Sequence, residues 1–457
     1  MQRFFYIFAL IALLFVACDE SETVITTSSE NRVNTFTFYT DTANPGLTEV
    51  VYKVEHKDLP DTGRIYCADS LRFGTRLDSV IPYVTYKATP ASATFFTLDD
   101  TIVSTGMDTM NLSIQPCYLM VESSDLLHKR WYRIDLQVHQ ADPKLYVWHK
   151  LTDQIFAPQN CEQKAFYMDG LVYLFVNNGF STTIYKSADG ALWEEAETPA
   201  GLPIPCQVRD ILQHKDTLYY VAGDKLYTST DLTHWSEKDF ATRDFALVNM
   251  LVVFDGRSWC ILQDRTTQEL LLGSVVSGDI QPAESIYGLD GNKLPKNFPV
   301  SDFAALSFQS SSERPRAMVV GGRTLDGTAV NTRWNLEHEL SAGYRMLDFS
   351  IEQPSFNSLT GVSIIQYDGR LLMFGGVDND LEWRSDILCS DDEGMNWYVP
   401  DSTHNKLPDT YTSRQHQTVV LDDQQNIFII GGQSFVDTYS DVYRGYLNEL
   451  KWAALNE

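Results

Sequence analysis

The chain has 457 residues, more than one core usually fills, so two or more domains are expected. With 44% hydrophobic and 12% aromatic residues it is a folded chain, which excludes disorder as its ground state. Its 35 Lys and Arg against 61 Asp and Glu give a formal charge of −26, which argues against nucleic acid or an anionic membrane surface as partner. Spread over loops, such charge serves solubility, and acidity alone is no metal signal. The 23 Tyr and 24 Phe, set among Val, Ile and Thr with Gly, Asp and Asn between, favour strands.

Residues 1–17 read as a signal peptide: one basic residue, Arg3, then an apolar run from Phe4 to Ala17 that is too short to span a bilayer. The run ends Phe15-Val16-Ala17-Cys18, which resembles a bacterial lipobox. That resemblance implies diacylation of the Cys18 thiol, cleavage before it and acylation of the new amine. Several acyl chains on one residue anchor stably where a single chain is marginal. The alternative is an ordinary signal peptide with an incidental Cys. Asp19-Glu20-Ser21-Glu22 resembles the export signal that Bacteroides-type anaerobes use to send lipoproteins to the cell surface. The expected address is the outer membrane, held by lipid at the cell surface, with residues 18–32 as a lipidated tether.

From residue 33 to 142 short alternating segments recur, among them Thr35 to Tyr39, Val50 to Val54, Thr94 to Leu98 and Tyr132 to Val138. Asn44-Pro45-Gly46, Asp61-Thr62-Gly63, Pro82 and Pro90 punctuate them. Strands at that spacing suit an immunoglobulin-like β-sandwich. The last one resembles the closing strand of cadherin-like modules in bacterial surface proteins. His56, His128 and His139 are isolated, and no catalytic constellation is visible here.

Residues 143–457 hold six copies of an apolar strand, a loop and a second strand. The first strands are Leu171 to Val176, Leu218 to Gly223, Trp259 to Leu262, Ala317 to Gly322, Leu371 to Gly376 and Ile427 to Gly432. In copies one, two and five the second strand runs into a turn: Ser187-x-Asp189-Gly190, Ser229-x-Asp231 and Ser390-x-Asp392-x-Gly394, each followed by Trp. There Ser and Asp accept backbone N–H bonds, and Gly supplies positive φ. Copies at such spacing imply a six-bladed β-propeller.

The hydrophobic-Gly-Gly runs of the last three copies resemble kelch repeats, copy six most closely, from Arg414-x-His416 to Val442-Tyr443. The Ser-x-Asp turns resemble the Asp boxes of sialidase-type propellers. The order of leader, lipobox, sandwich and propeller resembles an uncharacterised Bacteroides-type surface lipoprotein family. Copy six shows three strands, and an open blade leaves an unpaired edge. Leu145 to Lys150 is expected to complete it, with Lys451-Trp452 the competing strand.

Of seven Cys, Cys18 is assigned to lipid; the other six lack C-x-x-C or zinc spacing, and Cys67 with Cys117 either pair or stay free. No P-loop, dinucleotide fingerprint or nucleophile elbow is present, so no cofactor and no metal are expected. Asp378-x-Asp380-x-Glu382 reads as a solvated loop, lacking full calcium-loop spacing. Arg209, Arg243 and Arg414 stand just before or within the expected innermost strands and, rotated about one axis, are candidates to grip an anionic sugar. The simpler reading is that they bond loop carbonyls or Asp, as the kelch-type Arg414 would. Trp334, Trp383 and Tyr411 are candidates for an aromatic platform. A sialidase needs a Tyr–Glu nucleophile pair, an Asp acid/base and an Arg cluster, and no catalytic residue is assigned.

The expected function is therefore a surface lipoprotein acting as a non-catalytic binding protein for a glycan, as the family resemblance implies. The alternatives are a sugar-active enzyme (sialidase-like hydrolase or sialic-acid mutarotase) and a protein-interaction scaffold.

Overall fold

The computed structural model describes residues 27–238, 244–276, 279–339, 342–350, 356–400 and 406–448. The leader, Cys18, Arg243 and Lys451-Trp452 lie outside them. The described chain is all-β apart from short 3-10 turns, and no described helix is long and apolar enough to cross a membrane. It divides into two compact units, residues 1–142 and 143–457.

In the first unit Val33–Phe38 pairs with Pro82–Tyr86 in a two-stranded sheet. A six-stranded sheet runs in the order Tyr52–Lys57, Thr62–Cys67, Lys129–Asp135, Cys117–Glu122, Ser92–Phe96, Thr101–Val103. Its Thr62–Cys67 and Lys129–Asp135 strands are parallel. The two sheets share one apolar core, in which Val33, Phe36 and Phe38 meet Ile65, Phe95, Leu119 and Tyr132. Two strands against six is not the four-and-three partition of constant-type immunoglobulin domains. The last strand is shorter than its apolar alternation suggested: it ends at Asp135, and Val138 pairs separately with Leu71. The histidines are satisfied locally, His56 by the Tyr132 hydroxyl at 3.0 Å and His128 by Asp125 at 3.2 Å.

The second unit is a ring of antiparallel sheets. Blades 1 to 4 are four-stranded and lie within residues 162–195, 212–238, 245–282 and 304–348. Blade 5 has three strands, Ser363–Tyr367, Arg370–Phe374 and Ile387–Ser390, with Tyr398 bridging to Cys389 at its outer edge. Blade 6 orders Thr418–Leu421, Ile427–Gln433, Thr438–Leu447 and, last, Tyr146–Thr152. The segment expected to close the ring does so, pairing Trp148 with Gly445 and Tyr146 with Leu447.

Each blade is innermost-strand first, and the innermost strands touch in order around the circle. The short turn Val208–Asp210, ahead of blade 2, completes the circuit against Glu162–Met168. Apolar clusters fill the joints. Leu372 and Phe374 face Ile427 and Ile429 of blade 6, while Leu371 and Met373 face Met318 and Val320 of blade 4. Both faces of a blade are therefore buried, which is why its second strand is an unbroken apolar run and not an alternating one.

The Ser-x-Asp turns form as their residues require. In blade 1 the Asp189 carboxylate accepts from the backbone N–H of Ala191 at 2.8 Å and Leu192 at 2.9 Å. Ser187 Oγ accepts from Gly190 N–H at 2.9 Å, and Trp193 Nε1 donates to the Gly190 carbonyl at 2.9 Å. The Gly-Gly runs have a packing cause. A Cβ on Gly431 would sit 1.9 Å from the Gln163 side chain, which reaches across from blade 1 to donate to the Tyr439 carbonyl at 2.7 Å. All six described cysteines are free thiols.

Candidate functional site

In an antiparallel blade the start of the innermost strand lies at the same rim as the loop joining strands two and three. That rim is the channel mouth. A cavity of about 150 Å³ opens there, lined by the first residues of the inner strands of blades 1, 4, 5 and 6 and by Arg209 and Asp210.

Three consecutive blades place a left-handed residue two positions ahead of the inner strand: Asp302 at φ 52°, Gly361 at φ 67° and His416 at φ 57°. The backbone links them, His416 N–H donating to the Gly361 carbonyl at 2.7 Å and Gly361 N–H to the Asp302 carbonyl at 3.3 Å. Gly361 is required by its neighbour as well, because a Cβ there would lie 2.8 Å from the His416 ring.

Side chains then span the mouth. Arg209 Nη2 donates to Glu162 Oε1 at 2.6 Å, and Nη1 lies 2.6 Å from His416 Nε2 and 3.5 Å from Asp302 Oδ1. Arg323, from the strand-two-to-three loop of blade 4, donates to the other Asp302 oxygen at 3.2 Å. One arginine thus ties blades 1, 4 and 6 to the turn before blade 2. Burial alone would raise the Asp302 carboxyl, but His416, Arg209 and Arg323 hold it down to about 2. Burial pushes His416 below the ordinary histidine value; Asp302 pulls against this and Arg209 adds to it. The His416 Nε2 faces both Arg209 and Asp302, and its Nδ1 lies 3.0 Å from the Gln433 side-chain nitrogen.

One pleat further in, Lys164 lines the same cavity, with Asp210 opposite on the Val208–Asp210 turn. Burial pushes the Lys164 ammonium down while Asp210 pulls it up. Burial pushes the Asp210 carboxyl up to about 6, opposed by Arg209 and reinforced by Glu162 and Asp302.

The residues singled out from sequence fare unevenly. Arg209 reaches the channel mouth. Arg414 does not: it is 1% exposed, bound to Asp441 at 2.5 Å, to the Gly431 carbonyl at 3.1 Å and to the Thr412 carbonyl at 2.8 Å. Its guanidinium lies between the rings of Tyr411, at 4.6 Å, and Tyr439, at 4.0 Å. Arg243 lies outside the described residues, so of the two described arginines Arg209 reaches the mouth and Arg414 does not. The aromatic trio does not assemble either. Trp334 is 5% exposed in the joint between blades 3 and 4, packed on Phe298, and Tyr411 packs beneath Arg414. Trp383 alone reaches the rim, edge-on to Phe435 at 4.6 Å. Sequence reasoning passed over Phe435 and Phe180, which stand 60% and 86% exposed in the strand-two-to-three loops of blades 6 and 1. Asp378 is occupied with its own loop, its Oδ1 accepting from Asp380 N–H at 3.0 Å and Glu382 N–H at 2.9 Å. Among the described residues no cluster of His, Cys, Asp and Glu is arranged to hold a metal ion.

A closed circle of sheets joined by apolar seams, with charged groups gathered where the inner strands begin, defines a β-propeller with a polar channel mouth. The chain belongs to the DUF6242 beta propeller domain family, whose profile matches residues 142–455. No curated protein matches it. Among solved structures, one titled "Structure of YjhT" is similar at 12% identity and a TM-score of 0.45, over 64% of this chain and 96% of that one.

Proposed function

We propose that the chain is a lipoprotein of the outer membrane, anchored through Cys18 at the cell surface, whose propeller captures a glycan at the channel-mouth face. The N-terminal unit, read as an immunoglobulin-like module, serves as the spacer between anchor and propeller. The observation that carries this reading is the rim: Phe180, Trp383 and Phe435 present aromatic surface around a mouth lined by polar groups. Aromatic rings pack on the C–H faces of sugars while fixed polar groups meet hydroxyls, the usual division of labour in a ligand site. The excess of acidic residues favours neutral glycans over anionic ones.

A second reading, a sugar-active enzyme such as a sialidase-like hydrolase or sialic-acid mutarotase, draws support from one feature. His416, held against Asp302 and Arg209 at the channel mouth, is a candidate acid/base group. A glycan array probed with the full chain, run beside turnover assays on sialylated substrates and on reducing sugars, separates the two. Glycan capture without turnover supports the binding protein, turnover supports the enzyme, and silence in both favours a scaffold for protein partners.

A further inference from the structure

The channel holds more charge than its latch uses. Glu162, Arg209, Asp302, Arg323 and His416 are engaged with one another. Two groups lining the same cavity are not. Among the described residues neither the Lys164 ammonium nor the Asp210 carboxylate has a hydrogen-bond or ion-pair partner, although each feels the other's charge. Both side chains are half-buried, so an ammonium and a carboxylate without partners keep their hydrogen-bonding capacity turned to whatever enters the lumen. Burial lowers the titration of the one and raises that of the other, and shifted groups lining a cavity are candidates for a ligand site.

We infer that this cavity binds a single neutral sugar ring, one hydroxyl accepting from Lys164 and a neighbouring hydroxyl donating to Asp210. The inference rests on the glycan-capture reading and names its innermost subsite. Size limits the ligand: about 150 Å³ is well below the ~300–1,000 Å³ of ordinary drug-sized pockets, so one ring enters and a chain does not. Charge limits it further. The carboxylates of Glu162, Asp210 and Asp302 cancel the cations of Lys164, Arg209 and Arg323, leaving no net field for an ion. A uronic acid would set its own carboxylate beside Asp210. A hydroxyl both donates and accepts, so adjacent hydroxyls on one ring serve an ammonium and a carboxylate held apart, as a simple ion cannot. Ala165, Ala304, Ala305 and Gly361 leave the space between them open.

The test is saturation-transfer NMR titration of the full chain with the methyl glycosides of glucose, galactose and mannose, and with glucuronate, in the parent, Lys164→Met and Asp210→Asn. At least one neutral glycoside is expected to bind, with affinity falling about tenfold or more in each variant. Both variants should melt no lower than the parent at pH 7, since each removes an unpaired charge. No binding by any neutral glycoside, unchanged affinity in the variants, or a preference for glucuronate overturns the inference. If the array finds a glycan that both variants still bind like the parent, this subsite is wrong and the capture reading stands. A silent array removes the capture reading itself.

Discussion

The indole of Trp148 lies against the backbone of Gly445, its cross-strand partner in blade 6, so closely that a Cβ at 445 would fall 2.4 Å from the ring. Trp148 belongs to the strand that enters the propeller first, and Gly445 to the strand near its end. Gly445→Ala therefore forces the closing strand away from its neighbour. Overpacking of this kind costs about 1–3 kcal/mol, and calorimetry should show a melting temperature lowered by a few degrees. Adding Trp148→Ala to Gly445→Ala should cost less than the two single changes summed, because the clash is gone.

Arg414→Ala should be among the most damaging single changes in the propeller. It leaves Asp441, 7% exposed, without its main cation, and it strips a donor from the Gly431 carbonyl. Breaking a buried pair from one side costs about 3–5 kcal/mol. Arg414→Lys should recover only part of this, since one ammonium cannot reach Asp441 and two carbonyls in the same fork. Urea unfolding measures both. A parent-like midpoint for Arg414→Ala would count against a structural role.

Asp210 sets a pH dependence. Its folded carboxyl is pushed up to about 6, first by burial, above an ordinary carboxylate near 4. A raised folded pKa means that the native state holds the proton more tightly. The contribution is fully present below about pH 4 and is lost as pH rises through about 6. Asp210→Asn, permanently neutral, should match the parent near pH 4 and exceed it at pH 7, by on the order of 2 kcal/mol. Melting curves at the two pH values check the sign; a variant less stable than the parent at pH 7 contradicts it.

Cys18→Ser keeps the leader and removes the thiol that acylation requires. Labelled palmitate fed to the cells should enter the parent chain and not the Cys18→Ser chain, read by autoradiography of the purified protein. Equal labelling of the two, or none in the parent, would break the lipid-anchor proposal.

Phe435→Ala and Trp383→Ala act on the rim. Both side chains sit in loops outside the apolar joints, so melting should shift little while glycan retention on the array falls severalfold.

The second strand of each blade was legible because both of its faces are covered, which writes an apolar run such as Leu171–Asn177 into the chain. The Ser-x-Asp turns were legible because their hydrogen bonds are local. The same double coverage hid which aromatics are exposed: Trp334 lies among buried residues on both faces of Arg333–Glu339, and no alternation marks it. The channel was illegible for another reason. Arg209 and His416 meet across 207 positions, and inner strands such as Glu162–Met168 and Leu212–His214 are short or polar, without the apolar runs that announce their neighbours. One signal was present. Asp302, Gly361 and His416 hold the same place in successive repeats, and aligning copies on their inner strands would have brought them together.

Tyr146–Thr152 leaves the ribosome long before the strand it must join, Thr438–Leu447. Until then it waits as a naked edge. A copy truncated by a late stop codon would keep that edge for good, able to recruit the same strand from an intact molecule. Prematurely terminated chains should therefore poison their full-length siblings by mixed assembly, and not merely be missing from the cell.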